Sequence, residues 1–310
     1  MLDDYQNVVK TLDCFESLFA HEVAVYCQKY SEVELITKLK NAQVLVLIRE
    51  RTVITESLLS QLPNLQVISQ TGKVSHHIDV DLCKKYGVVV LEGRGCAIAP
   101  SELCWALLMA ASRNIPAYAS NLQHNQWQNS GELGLGRTLK GLKLGIWGYG
   151  KIGQRIAQYA KAFEMSVVVW GSESSTNLAK EHGFEACLSK QEFFSTADIV
   201  SLHLRLNDAT SACVTAQDLK LMKPDSLFVN ISRAELVEES ALYNELNSVQ
   251  TKRAAIDVFD NEPAYITNEP LLSLSNVIAT PHLGYVEKNS YELYFKTAFD
   301  NVLAYIKSID

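Results

Sequence analysis

The chain has 310 residues, 47% of them hydrophobic and 20% charged, with a formal net charge of −7. That is the make-up of a soluble globular protein with length for about two domains, each able to bury a core. Scattered Lys and Arg on an acidic chain argue against a nucleic-acid surface, which needs a basic face. No apolar run approaches the ~20 residues of a membrane helix, so no membrane partner is expected.

The start, MLDDYQN, is acidic and lacks an apolar signal core, so export is not expected and the cytoplasm is. Apolar runs at 23–26, 44–48, 65–69 and 88–91 predict strands. Helical patterns at 32–40, 56–61 and 80–86 lie between them. Such alternation argues for a parallel sheet with helices on its faces. Two places at strand ends are candidates for chemistry: Arg49-Glu50-Arg51 and Thr71-Gly72-Lys73. Ligands gather beyond the carboxyl ends of strands in open α/β sheets, and a Gly there exposes N–H groups that can hold a carboxylate. The competing reading of both is a solvated charged loop.

Residues 92–99 read as a loop, and Pro100 suits the first turn of a mostly apolar helix over 101–112. The first domain boundary is expected near Pro100. A polar, Gly-containing surface loop is expected over 123–137. The seven cysteines (Cys14, Cys27, Cys83, Cys96, Cys104, Cys187 and Cys213) form no CxxC and read as reduced, buried thiols. No metal is expected.

The chain is organised around residues 142–153, LKLGIWGYGKIG. Leu144, Ile146 and Trp147 form a strand pattern. Gly148, Gly150 and Gly153 give G-x-G-x-x-G, and a helix pattern runs on to Phe163. The first glycine permits a tight turn, the second lets backbone approach a pyrophosphate, and the third lets helix pack on strand. The phosphates would sit at the helix N-terminus, where free N–H groups favour an anion. Further strands are expected at 167–170, 199–202, 227–230, 254–258 and 277–279, with helices at 216–221 and 238–247. An acid after the second of these strands would bind ribose hydroxyls. The residue just after the strand is Gly171, and Glu173 follows two positions on. With no Arg or Lys in this turn, NAD is expected over NADP, unless Glu173 is only solvated.

Three charged groups follow apolar runs: Arg233, Glu262 and His282. Each alone has a bland reading, as a surface charge, a residue before a turn Pro, and a capped loop residue. In a parallel sheet they share one edge with the glycine loop. Hydride transfer to a 2-keto acid needs a cation to orient carboxylate and carbonyl, a proton donor, and a carboxylate to keep that donor charged.

With Thr71-Gly72, Gly148-Tyr149-Gly150-Lys151-Ile152-Gly153, Val200-Ser201-Leu202-His203-Leu204, Met222-Lys223-Pro224, Asn230-Ile231-Ser232-Arg233, Ala255-Ile256-Asp257-Val258-Phe259, Glu262-Pro263 and Thr280-Pro281-His282-Leu283-Gly284 in this order, the chain resembles the D-isomer-specific 2-hydroxyacid dehydrogenases over nearly its whole length. The resemblance implies an α/β protein of two Rossmann-like domains with parallel sheets. The cofactor domain (101–283) would be inserted into the substrate domain (1–100 and 284–310), and the protein would usually be a homodimer. Arg233 would bind the substrate carboxylate and carbonyl, His282 would be the acid/base, and Glu262 its partner. Asp257 would meet the nicotinamide carboxamide. Arg51, Thr71, Gly72 and Lys73 would serve the substrate. Besides the glycine loop, Glu173, His203, Leu204, Arg205, Ile231 and Ser232 would line the cofactor.

The chain departs from the family pattern at Gly171, where Asp is common, and at His203-Leu204-Arg205-Leu206, where His-x-Pro-x is. Met1-Leu2 is nearly all that precedes Asp3, so the first strand should be short or the start misassigned. Glu262, rather than the Gln of the formate dehydrogenases, makes formate an unlikely substrate by the family's own pattern. The expected function is NAD(P)-dependent interconversion of a 2-keto acid and a D-2-hydroxy acid. The alternative is a non-catalytic NADH sensor resembling the corepressors on this fold.

Overall fold

A computed structural model of the chain describes residues 1–309. It forms two compact units, Met1–Cys96 with the chain from Val286 onward, and Ala97–Tyr285. The second unit is therefore inserted, in chain order, between two pieces of the first.

In the first unit β1 (Val44–Leu47), β2 (Val67–Gln70) and β3 (Val89–Leu91) form a parallel sheet in that order. Its helices are α1 (Glu32–Leu39), α2 (Glu56–Ser60) and α3 (Val80–Lys85). Each begins at a side-chain cap, from Ser31, Thr55 and Asp79, which satisfies a helix N–H that would otherwise lack a partner. The strand expected at 23–26 is not a regular strand. The chain there is tied by Tyr26 N to Met1 O (3.0 Å) and Asp4 N to Tyr26 O (2.9 Å), while Leu2 N reaches Val46 O at 3.3 Å. Asp3 has φ +61°, which breaks the extended run after Leu2. The last helix, α11 (Lys288–Ile309), buries Phe295, Ala298 and Phe299, and Ser69 Oγ donates to Ala298 O.

The second unit has seven parallel strands: β4 (Lys143–Trp147), β5 (Ser166–Trp170), β6 (Glu185–Ala186), β7 (Ile199–Leu202), β8 (Leu227–Asn230), β9 (Arg253–Ile256) and β10 (Val277–Ala279). Their order is β10-β9-β8-β7-β4-β5-β6. Chain order reverses between β4 and β7, and such a switch point opens a crevice at the carboxyl ends. Burial on both faces explains the continuous apolar runs. One face carries α4 (Ile98–Ser112) and α6 (Lys151–Ala162), packing Leu108, Ile156 and Ala160 on Leu144, Ile146 and Val169. On the other face Phe193, Phe194, Leu219 and Leu246 meet Val200 and Phe228.

The pattern missed α5 (Ile115–Gln123), α7 (Glu173–Glu181), β6 and α8 (Lys190–Thr196). Helix α7 buries only Ala179, and α8, of seven residues, buries the adjacent Phe193 and Phe194, too short a run to show a helical period. Their visible signals were the caps Ser172 and Ser189. Helices α9 (Ala216–Leu221) and α10 (Ala241–Ser248) complete the unit. Cys83, Cys104 and Cys187 are buried as expected, whereas Cys14, Cys27, Cys96 and Cys213 are only partly so; all seven are free thiols.

Candidate active site

The glycine loop joins β4 to α6. Gly148 has φ +97°, and a Cβ there would stand 2.6 Å from His203 O. A Cβ on Gly153 would stand 2.2 Å from Gly148 O. These two glycines close the turn and let α6 lie against the strand. Gly150 differs. It is the N-cap of α6 with no side-chain cap, and a Cβ there would meet nothing within 4 Å. An uncapped helix N-terminus with open space before it suits a pyrophosphate, so these residues fit a dinucleotide.

Around the loop, Tyr149 is buried and its hydroxyl lies 3.1 Å from His182 Nδ1, beyond the far end of α7. Lys151 is exposed and Ile152 half-buried. His203 N donates to Trp147 O (2.8 Å) and its ring Nε2 lies 3.0 Å from Ser201 Oγ. Burial pushes the His203 pKa down to about 3, so the ring is neutral. Leu204 is half-buried and Arg205 exposed. Glu173, expected in a turn, is instead the exposed first residue of α7, because Ser172 caps that helix.

Arg233, Glu262 and His282 stand beyond the carboxyl ends of β8, β9 and β10 respectively, the end that also carries the glycine loop. The turn bearing Arg233 is shaped by Asn230, which donates to Arg233 O (2.8 Å) and accepts from Ser232 N (3.0 Å). Ser232 Oγ donates to Leu202 O, and Arg233 Nη1 donates to Ser232 O. Ile231 is buried. His282 Nδ1 and Glu262 Oε2 are 2.8 Å apart, and Glu262 Oε1 accepts from Phe259 N at 3.1 Å. The imidazole packs edge-on against Tyr285, centroids 5.5 Å apart. With Nδ1–H directed to Glu262, Nε2 is the ring atom left for a substrate. His282 itself has φ +53°. Asp257, just past β9, is fully buried.

The four residues expected to serve the substrate lie in the first unit. Thr71 is buried, and its Oγ1 accepts from Arg49 N at 3.1 Å. A Cβ on Gly72 would stand 2.0 Å from Arg49 Nη1, so the Arg49 side chain covers that glycine. Lys73 is exposed and pairs with Glu92 at 2.6 Å, which holds the Glu92 carboxyl below its usual range. Arg51 donates to Asp3 O at 2.6 Å and lies 4.7 Å over the Tyr5 ring. It is tied into its own unit by these contacts and by Tyr291 Oη at 3.5 Å. The sequence reading named Arg49 only within the candidate segment Arg49-Glu50-Arg51 and gave Asn230 and Thr280 no part; these two lie in motifs it quoted, but what they bond to depends on the folded turns.

Residues 105–284 match the family model for the D-isomer specific 2-hydroxyacid dehydrogenase NAD-binding domain. The chain is 34% identical over 252 residues to a D-3-phosphoglycerate dehydrogenase of Methanocaldococcus jannaschii, covering 81% of this chain and 47% of that one. It thus spans about half the length of that relative. It is 32% identical over 281 residues to a glyoxylate reductase of Thermococcus litoralis, covering 88% and 83%. A crystal structure of a phosphoglycerate oxidoreductase from Vibrio cholerae superposes with a TM-score of 0.98 at 60% identity, covering 99% and 98%.

Proposed function

The chain belongs to the D-isomer-specific 2-hydroxyacid dehydrogenase family, and from that premise we propose that it interconverts a 2-keto acid and a D-2-hydroxy acid with NAD(H). The observation that carries this reading is the His282–Glu262 pair at 2.8 Å, on the sheet edge that also carries Arg233 and the glycine loop. When bound, NADH supplies the hydride. Arg233 presents a planar two-donor fork suited to the substrate carboxylate and carbonyl. His282 Nε2 gives its proton to the carbonyl oxygen in reduction and takes it back from the hydroxyl in oxidation. Phe259 N–H holds one Glu262 oxygen, so the other stays on Nδ1 and orients the ring. Thr71, Gly72 and Lys73 serve the substrate carboxylate in this reading. Arg51 is left a structural part, given its bonds to Asp3 and Tyr5.

The names of these relatives, and of a hydroxypyruvate reductase of Thermotoga maritima that is 33% identical over 269 residues, suggest glyoxylate, hydroxypyruvate and 3-phosphohydroxypyruvate as the substrates to try first. NAD is favoured over NADP because no Arg or Lys stands among residues 171–175. A homodimer in the cytoplasm completes the proposal. Ile115 and Leu122 on α5 and Trp127 and Leu135 on the segment after it are exposed apolar side chains that a second copy would cover in this proposal. The sensor alternative gains nothing from relatives that carry enzyme names. The test is NADH and NADPH oxidation with these keto acids. Turnover of none of them would reject the proposal, and a kcat/KM favouring NADPH would reject the cofactor preference.

A further inference from the structure

His282 is a non-glycine residue at φ +53°, in the sparsely populated left-handed region. Such a conformation is costly and persists where the surroundings impose it. What surrounds it is Asp257. That carboxylate is fully buried, and its backbone N–H donates to Asn230 O at 3.0 Å, extending the ladder between β8 and β9 by one residue. Its Oδ1 accepts from Thr280 Oγ1 (2.6 Å) and Leu283 N (2.7 Å), and its Oδ2 accepts from Gly284 N (2.9 Å). All three donors belong to one turn and flank His282 on both sides. Within the turn His282 N donates to Thr280 O at 2.9 Å.

We propose that Asp257 is the positioning residue of the proton donor: its two oxygens clamp the 280–284 turn and hold His282 in the left-handed conformation that keeps Nδ1 on Glu262. The inference rests on the dehydrogenase reading above and gives Asp257 a second part beside the contact with the nicotinamide carboxamide: three donors occupy its oxygens, and Oδ2, with one of them, keeps room for another. A carboxylate is needed because both oxygens must accept. An amide accepts on one side only and would turn an NH2 toward a donor on the other. Burial raises the Asp257 carboxyl above its usual range, against the pull of the same donors. The buried charge is therefore held at a cost, and two backbone N–H groups would lose their acceptor without it.

Asp257→Asn and Thr280→Val separate the two roles, since Thr280 contributes only to the clamp. Hydrogen exchange at the Leu283 and Gly284 amides should speed up about tenfold or more in Asp257→Asn, because their acceptor is altered. In Thr280→Val, NADH affinity by fluorescence titration should stay within about threefold, while kcat for glyoxylate or hydroxypyruvate falls about tenfold, in the direction that misplacement of a reacting group by about 1 Å takes it. Asp257→Asn should lose more kcat, roughly 10- to 100-fold at saturating NADH, and the double variant should lose less than the product of the two. A kcat preserved at saturating NADH in both variants would overturn the proposal and leave Asp257 with the cofactor alone. Unchanged exchange at Leu283 and Gly284 would also overturn it. If the wild type reduces no keto acid, the functional reading fails, and the exchange measurement still decides the clamp. Should Asp257→Asn not fold, Thr280→Val carries both measurements.

Discussion

The three glycines of the loop should respond differently to the same added methyl, and Gly153→Ala is the sharpest case. Gly153 is the third residue of α6, so alanine brings up to about 1 kcal/mol of helix propensity. Against this, the new Cβ would lie 2.2 Å from Gly148 O and 3.2 Å from Ile146 Cγ2, where ordinary contact begins near 3.4 Å. The shortfall of about 1.2 Å falls on a backbone oxygen, which has no rotamer to yield. Helix α6 would have to lift off β4, loosening Ile156, Ala157 and Ala160, all fully buried. Overpacking of this kind costs up to about 3 kcal/mol, so about 2 kcal/mol of net destabilisation remains after the propensity gain. In a unit of this size that is a fall in Tm of roughly 4–8 °C. Gly150→Ala is the control, because its Cβ enters open space and its φ of −81° suits any residue. It should fold as the wild type does and lose only NADH affinity. Thermal unfolding and NADH titration of both variants check this. A Gly153→Ala protein as stable as wild type, or a Gly150→Ala protein equally destabilised, would refute the assignment of separate tasks within the motif.

His203 should make the fold acid-sensitive. Its ring is neutral in the folded state with a pKa of about 3, against 6.5 for the free group. The unfolded chain therefore takes up the proton first, so the neutral ring's contribution is complete above pH 6.5 and is lost as pH falls from there toward 3. At about 1.4 kcal/mol per unit, wild type should lose roughly 2–3 kcal/mol relative to His203→Asn between pH 7 and pH 4.5; parallel urea stabilities over that range would contradict it. Arg233→Lys should not restore activity, since a point charge cannot replace a planar fork, and near wild-type kcat/KM in that variant would tell against the fork. His282→Ala should lower kcat roughly 100-fold or more. Its NADH affinity should hold, and an intact kcat would move the proton donor elsewhere.

Local patterns in the chain already determine the sheet-and-helix alternation, the glycine loop, and the three charged groups after strands. The runs at 199–202, 227–230 and 277–279 are strands with those bounds because strands buried on both faces are apolar throughout and end where polarity returns. Parallel strands also place every strand-following residue on one edge, so Arg233, Glu262 and His282 could be grouped before any contact was known. The tertiary structure decides what depends on distant partners. Residues 23–26 are placed by hydrogen bonds to the distant Met1 and Asp4 rather than by a regular strand pairing. Glu173 sits at a helix start because Ser172 caps it. Which of Arg49 and Arg51 covers Gly72 follows from Arg51 being held by Asp3 and Tyr5. Asp257 lies 26 residues before Leu283, and no spacing rule links a buried carboxylate to a turn that far along the chain. That bond exists only because β9 and β10 lie side by side and bring the end of one against the turn that leaves the other.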